Sequence, residues 1–122
     1  QALDTYGPFG AAPRIAAIRH GAYPAIADER GELTYAEFDE AVNRIANAFR
    51  ARLAPGDTVG ILCRNHRGPL IVAFAASRAG GRLVETKNTP RPWSRSALAS
   101  RHTHVCVCPG HSGTNTAMFI LL

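Results

Sequence analysis

One pattern limits the possible folds of this chain more than any other. It is a capped amphipathic helix that is followed, after a Pro-Gly break, by an uninterrupted apolar strand. Thr34 and Glu37 have the Thr-x-x-Glu spacing of a capping box, which predicts that a helix starts there. The helix should run from about Tyr35 to Arg52. Its apolar residues recur at intervals of four, three and four, which places them on one stripe. They are Phe38, Val42, Ile45 and Phe49, and the polar residues Asp39, Glu40, Asn43, Arg44, Asn47 and Arg50 are expected outside this stripe.

The residues around this helix predict an α/β fold. Tyr23–Thr34 should form a β-hairpin, because Pro24 suits an edge strand and Gly31 suits a tight turn. Thr58–Cys63 is apolar on both faces, as in a central strand of a parallel sheet. A second helix over Leu70–Ala79 and a strand over Gly81–Val84 complete an alternation of helices with parallel strands.

The two ends of the chain carry weaker patterns. Residues 1–21 contain Pro8 and Pro13, and only Ile15–Ile18 predicts a helical turn or two, so we expect a packing arm. Residues 85–122 mix Pro, Ser, Thr, His and Arg without a helical or strand period, which predicts a disordered tail. The predicted division is therefore residues 1–84 as a folded unit and residues 85–122 as a tail.

Composition and charge exclude several classes of protein. With 122 residues, of which 46% are hydrophobic, the chain can bury the core of one domain without disulfides or a metal. The net charge of +5 arises mostly from residues 85–122, and the arginines are spread singly, so we predict no nucleic-acid binding. No run is long enough for a membrane span and no secretory signal is evident, which predicts a cytoplasmic protein with reduced cysteines. Because the chain starts at Gln1 and its single methionine is Met118, we expect a fragment or a processed chain.

Four segments, in order and at workable spacing, resemble the amino-terminal region of acyl-CoA synthetases in the AMP-forming adenylating superfamily. Leu33–Phe38 is similar to the first core motif of that superfamily, Leu-Thr/Ser-Tyr-x-Glu-Leu, with Phe38 in place of the final Leu. The other segments are Pro24–Asp28, Ala46–Phe49 and Pro55–Leu62, which Asn65 follows. Ala76–Gly80 lies where the second motif of the superfamily would begin. The resemblance covers residues 13–84 and weakens from Glu85, so the tail is expected to lie outside the family, as a frameshift, truncation or natural extension would place it.

The resemblance implies a fatty-acid CoA ligase of lipid metabolism, in which ATP adenylates a carboxylate and the coenzyme A thiol then displaces AMP. It implies ATP, magnesium, coenzyme A and a fatty acid for a complete enzyme. The phosphate loop, the nucleotide contacts and the catalytic Lys of that family follow the matched region and are not found in this sequence. We therefore expect the partial adenylating-enzyme domain to be inactive alone, with no cofactor and no catalytic, cofactor-binding or metal-binding residues of its own.

The tail offers two candidate sites, and both patterns are imperfect. His111–Thr116 is similar to a Ser-Gly-Thr-Thr-Gly phosphate loop but has no following Gly or Lys. Five residues that could bind a metal lie within ten positions: His102, His104, Cys106, Cys108 and His111. Their His-x-His and Cys-x-Cys spacing points alternate ligands to opposite faces of an extended chain, unlike structural zinc sites. The alternative function is a small non-enzymatic binding module whose tail binds a metal or an acidic partner.

The remaining polar candidates are interpreted as structural. Cys63 ends an apolar strand and is expected to be a buried small residue. His20 and His66 are interpreted as surface loop residues. Three acidic residues, Asp28, Glu37 and Asp57, are interpreted as turn and cap residues, since no paired arrangement of carboxylates suggests acid–base catalysis.

Overall fold

Helices and strands alternate along most of this chain. The structure is a computed structural model and describes residues 2–62, 66–85, 103–107 and 118–121. The helices in that part of the chain are α1 (Ala2–His20), α2 (Tyr35–Arg50) and α3 (Arg67–Arg78). The strands are β1 (Pro24–Asp28), β2 (Gly31–Thr34), β3 (Thr58–Leu62), β4 (Arg82–Glu85), β5 (Thr103–Val107) and β6 (Met118–Leu121).

The hairpin and the cap of α2 confirm two predictions from the sequence. Strands β1 and β2 pair antiparallel, with Asp28 opposite Gly31 at the turn, where Gly31 has a φ of 104°. At the start of α2, the Thr34 hydroxyl oxygen accepts from the Glu37 backbone N–H at 3.2 Å, and the Glu37 carboxylate accepts from the Thr34 N–H at 2.8 Å. This reciprocal pair is the capping box, so the hairpin leads directly into a helix with a fixed start.

The main sheet is assembled around β3. Strand β3 pairs in parallel with β4 on one side and with β5 on the other, and β6 pairs antiparallel with β5. The order in this sheet is β4-β3-β5-β6, and β1 and β2 form a separate two-stranded sheet. The protein is thus a small α/β fold, but the hairpin strands do not belong to the main sheet.

One apolar core lies between α2, α3 and β3. The stripe on α2 packs against small and branched residues of α3 and against the inner residues of β3. This mixture brings the two helices close together, since alanine side chains leave little space between backbones. The buried members are Phe38, Val42, Ala46, Phe49, Val59, Ile61, Val72, Ala73, Ala75 and Ala76.

The start of the chain packs on the rest of the protein, as predicted, but the prediction of only a helical turn or two there is wrong. Helix α1 spans Ala2–His20 with a kink at Gly7, whose φ of 70° and ψ of 171° are not helical, and Pro8 follows in the first turn after the kink. The helix packs against both α2 and α3. A Cβ added at Gly10 would lie 3.0 Å from the backbone of Arg78, so the glycine permits a close crossing of α1 over α3. Tertiary packing therefore stabilises a helix that the local sequence did not predict.

Strands β5 and β6 lie in the tail, where the sequence predicted no regular element. The prediction of disorder is wrong for these two short segments. Strand β5 pairs with β3 and β6, and β6 pairs with β5, so these short strands can form through pairing without a clear sequence period. The proposed boundary at residue 84 itself stays a prediction.

Candidate functional site

The Asp28 carboxylate lies at the amino-terminal end of α3, where it pairs with the first residue of that helix. The Arg67 guanidinium donates from Nε to Asp28 Oδ2 at 2.8 Å and from a terminal nitrogen to Oδ1 at 2.5 Å. The backbone N–H of Arg67 donates to Oδ2 at 3.1 Å, and that of Arg30 donates to Oδ1 at 3.0 Å. Each carboxylate oxygen therefore accepts two hydrogen bonds. We call this arrangement the hairpin cluster, after the hairpin that carries Asp28.

Electrostatics in the hairpin cluster stabilise both charged forms. The side chains of Arg67 and Asp28 are 16% and 6% exposed. The side-chain hydrogen bonds from Arg67 hold the pKa of the Asp28 carboxyl well below its usual range, although burial opposes this shift. The same hydrogen bonds raise the pKa of Arg67. The sequence interpretation of Asp28 as a turn residue was incomplete, because it also binds a residue 39 positions away.

His66 caps α3 and is not a surface loop residue, which corrects the prediction. Its Nδ1 accepts a hydrogen bond from the Gly68 backbone N–H at 2.9 Å. A neutral imidazole that accepts at Nδ1 carries its proton at Nε2. That Nε2 is buried and has no hydrogen-bond partner among the residues that the structure describes. His66 and Asp28 together satisfy two N–H groups at the start of α3.

A second ion pair joins all three helices. The fully buried Arg78 side chain of α3 donates to Asp39 Oδ1 at 2.9 Å and to Asn43 Oδ1 at 2.5 Å, both on α2. Its Nε donates to the Gly10 carbonyl of α1 at 2.9 Å, and its guanidinium carbon lies 4.8 Å from the centre of the Tyr6 ring. Arg14 also donates to Asp39, at 3.3 Å. We call this arrangement the helix cluster.

A groove of about 270 Å³ opens beside the helix cluster, between α1 and α2. The α1 wall carries two apolar residues and Arg14, and the α2 wall carries two carboxylates. The carboxylates already have cationic partners, since Asp39 pairs with Arg78 and Glu40 pairs with Arg44 at 2.9 Å. The lining residues are Arg14, Ala17, Ile18, Ala36, Asp39, Glu40 and Asn43.

Chemically, the two clusters match acidic groups with arginine donors and leave no charged oxygen of Asp28 or Asp39 without a donor. They can fix helix positions, but they do not bring together a nucleophile and a base. Among the described residues, no three His, Cys, Asp or Glu side chains lie close enough to hold a metal ion. In the same part of the chain, no helix is both long and apolar enough to cross a bilayer.

The other sequence candidates fall in different places. His20 is exposed and has edge or tilted contacts with the rings of Tyr23 and Tyr35, each at 6.2 Å. Asp57 is a buried turn residue, as predicted, and accepts from the Ala54 N–H at 2.9 Å. His104 and Cys106 lie on β5. The candidates outside the described residues are Cys63, His102, Cys108 and the segment His111–Thr116.

Sequence reasoning missed Asp39 and Arg78 as partners. Asp39 precedes Val42 by three residues and Ala46 by seven, so helical periodicity places it on the apolar face of α2. A carboxylate on a buried face requires a partner, and Arg78 has the same relation to the buried Ala75 of α3. That pattern was a signal of a buried ion pair, although it does not identify which arginine binds which aspartate.

The fold and the sequence both match a known enzyme family. The family model described as AMP-binding enzyme matches residues 14–107. The chain belongs to the AMP-binding enzyme family. The family match extends past residue 84, so part of the predicted out-of-family tail lies within it.

The chain is also similar in sequence to individual proteins and shares its fold with solved structures. The chain is 39% identical over 109 residues to a feruloyl-CoA synthase from Amycolatopsis, covering 87% of this chain and 21% of that protein. A Mycobacterium tuberculosis fatty acyl CoA synthetase superposes with a TM-score of 0.70 at 21% identity, over 84% of this chain and 20% of that one. The nonribosomal peptide synthetase FmoA3 superposes with a TM-score of 0.72 at 25% identity, over 85% and 12%. The chain thus spans about a fifth of the length of the curated relatives that it matches.

Proposed function

We propose that this chain is the amino-terminal scaffold of a cytoplasmic acyl-CoA ligase of lipid metabolism that activates a fatty acid. The observation that carries the proposal is the AMP-binding family match over residues 14–107. The similarity to a feruloyl-CoA synthase and the shared fold with a fatty acyl CoA synthetase both support coenzyme A thioester formation as the reaction class. In that reaction the carboxylate attacks ATP and releases pyrophosphate, and the coenzyme A thiol then releases AMP from the acyl adenylate.

In the proposed enzyme, the described residues support the fold and do not supply the reacting groups. The core of α2, α3 and β3 and the two arginine clusters fix the helices against the sheet. ATP, magnesium and coenzyme A belong to the proposed complete enzyme. Asp28 and Asp39 do not fit a magnesium site, because both already accept from guanidinium groups.

The alternative of a metal-binding or acidic-partner module is not favoured. Its ligand pattern includes His104 and Cys106, which lie inside the family match. Both residues lie on β5, and a strand within the family match accounts for their presence without a metal.

A chimeric enzyme tests the proposal. The matching fifth of the Amycolatopsis feruloyl-CoA synthase would be replaced by this chain, and acid-dependent AMP release would be measured with ferulate and with hexadecanoate. We expect the chimera to retain AMP release and the isolated chain to show none. A chimera carrying Val42→Asp in the core is the matched control and should lose activity, since Val42 is fully buried.

Two results would contradict the proposal. A folded chimera without AMP release on either acid would contradict the scaffold role. Acid-dependent exchange of pyrophosphate into ATP by the isolated chain would show that the chain holds a catalytic site of its own.

A further inference from the structure

We propose that the β-hairpin is a strap that opens as a unit from the start of α3, with its base fastened to α2 and with Arg67 as the latch that keeps it closed. The strap consists of β1, β2 and the turn between them. It forms a two-stranded sheet of its own and does not pair with the main sheet. The proposal concerns a movement of the fold and does not depend on the proposed enzymatic function.

The strap contributes few buried groups to the core. Each residue of β1 and β2, taken as a whole, is exposed or half-buried. Ala25 and Ile26 pack against the core of α2, α3 and β3, but both are only partly buried. A two-stranded hairpin has little stability of its own, and segments with few buried apolar groups open at a lower free energy than the core. The strap is therefore able to open while the core stays folded.

The base of the strap is fastened by backbone hydrogen bonds to the first two residues of α2. The Tyr35 N–H donates to the Tyr23 carbonyl at 3.0 Å, and the Ala36 N–H donates to the Gly21 carbonyl at 3.1 Å. The capping box at Thr34 fixes the end of β2 at the same place. None of these contacts involves the turn, so the base can act as a hinge when the turn moves.

The turn of the strap is fastened to α3 by a side chain that binds both strands. The Arg67 guanidinium donates to the Asp28 carboxylate at the end of β1, and it donates to the Gly31 carbonyl at the start of β2 at 2.9 Å. The Asp28 side chain is 6% exposed in this closed state. Without the guanidinium, its charge would be buried without a cation, and opening would return it to water. Arg67 thus keeps the strap closed through the charge of Asp28.

The latched end of the strap lies at a defined edge of the main sheet. Helix α3 follows β3, so its start lies on the side where the parallel strands β3 and β4 end. Open α/β sheets bind their ligands beyond this edge. Opening of the strap would therefore uncover the start of α3 on the side of the sheet that such ligands approach, and closure would cover it.

Hydrogen exchange of the full native chain tests whether the strap opens as a unit. The amides of β1 and β2 should exchange at least about tenfold faster than those of Val42 and Ala75 in the core, and low urea should accelerate them less, because opening exposes less surface than unfolding. The amides of Tyr35 and Ala36 should follow the core, since their acceptors lie at the hinge. Equal protection and equal urea dependence of strap and core would overturn the proposal.

A core variant separates opening of the strap from unfolding of the chain. Val42→Ala should accelerate exchange of the Ala75 amide by about tenfold or more, because a fully buried side chain is truncated. It should change exchange of the β1 and β2 amides by less than about twofold, because the core is folded in both the closed and the open state. Equal acceleration of strap and core would overturn the proposal, since the strap would then open only when the chain unfolds.

Two variants of the ion pair test the latch. In Arg67→Met, exchange of the β1 and β2 amides should rise by at least about tenfold. In Asp28→Asn/Arg67→Met it should return most of the way to the native rate, because no charge is left buried. Arg44→Ala, which removes an exposed pair, is the matched control and should leave the strap unchanged. Unchanged exchange in Arg67→Met, or no recovery in the double variant, would overturn the latch; if Arg67→Met does not fold, the native chain and Val42→Ala still decide whether the strap opens.

Discussion

At the scale of single residues, two aspartates depend on two arginines for burial. Asp39 is 4% exposed and Asp28 is 6% exposed, and each binds a guanidinium from α3. A buried carboxylate without a partner has a large desolvation penalty. Burial of each aspartate therefore requires that its arginine partner on α3 is in place. The pairs therefore act as internal links between elements that are distant in sequence.

Arg78→Met should be among the most destabilising single substitutions in α3. The variant leaves Asp39 buried with only the half-exposed Arg14 as a cationic partner, and breaking such a pair typically costs about 3–5 kcal/mol of unfolding free energy. Urea unfolding measures the loss. Arg44→Ala is the matched control, because the Arg44–Glu40 pair is exposed and should contribute less than about 0.5 kcal/mol. Equal losses in the two variants would contradict the role of the helix cluster.

The Asp28 pair should make stability depend on pH in acid. Since the folded pKa of Asp28 is lowered, its contribution is fully present above the unfolded value near 3.9 and is lost as the pH falls from there through the folded pKa. In that window this group should account for a slope of up to about 1.4 kcal/mol per pH unit. Urea midpoints between pH 2 and pH 7 would show this slope in the native chain. Asp28→Asn, which cannot titrate, should have a shallower acid slope, and identical slopes would argue against the assignment.

At the scale of elements, the sequence predicted the helices and strands whose ends carry local signals. Thr34 and Glu37 determine the start of α2 through contacts three residues apart, and Pro55 with Gly56 marks the break before β3. Helix α1 lacks such signals, and its stability comes from Gly10 and Ala11 packed against other helices. Strands β5 and β6 depend on pairing with β3 and with each other. Long-range partners were not readable from one sequence, which is why these elements were missed.

The candidate site shows the same limit. The polar residues Asp28 and His66 were recognised, but each was assigned only a local role. Their partners, Arg67 and the Gly68 N–H, lie on a helix whose start was predicted three residues too late, at Leu70. An error of one turn in a helix boundary was enough to separate the cap and the ion pair from the element that they stabilise.

His66→Ala should destabilise α3 through loss of its cap. Loss of an N-cap acceptor costs about 1 kcal/mol, and His66→Asn should restore most of this because an Asn side chain can accept the same Gly68 N–H. Urea unfolding gives the free energies. His20→Ala, at an exposed position outside the caps, should change stability by less than about 0.5 kcal/mol. A His66→Asn variant as unstable as His66→Ala would show that the imidazole acts by packing and not as a cap.

At the scale of the whole molecule, large apolar side chains remain on the surface. Ile18 is 71% exposed, Tyr23 65%, Phe9 51% and Leu70 47%. Exposed side chains of this kind favour association when they lie close together. The sequence-based expectation that the isolated chain is marginal and prone to aggregate follows from the same reasoning, and stays a prediction.

Polar substitutions at the surface should improve solubility at little cost in stability. Ile18→Lys and Leu70→Lys each remove an exposed apolar group, so we expect a higher soluble concentration and a change in unfolding free energy within about 0.5 kcal/mol. Centrifugation after incubation and urea unfolding provide the two measurements. Val42→Lys, at a fully buried position, should instead unfold the chain. Unchanged solubility in both surface variants would show that aggregation starts elsewhere.

The contact between Gly10 and Arg78 has a consequence for synthesis of the chain. The two residues are 68 positions apart. At about 5–20 residues per second, a ribosome takes roughly 3–14 s to add the residues between them. During that interval the Gly10 carbonyl of the nascent α1 has no Arg78 guanidinium to accept from, and the small residues of α1 that will cross α3 are exposed. Chaperones that bind nascent chains therefore meet α1 before α3 exists, and α1 cannot complete its packing until α3 has been made.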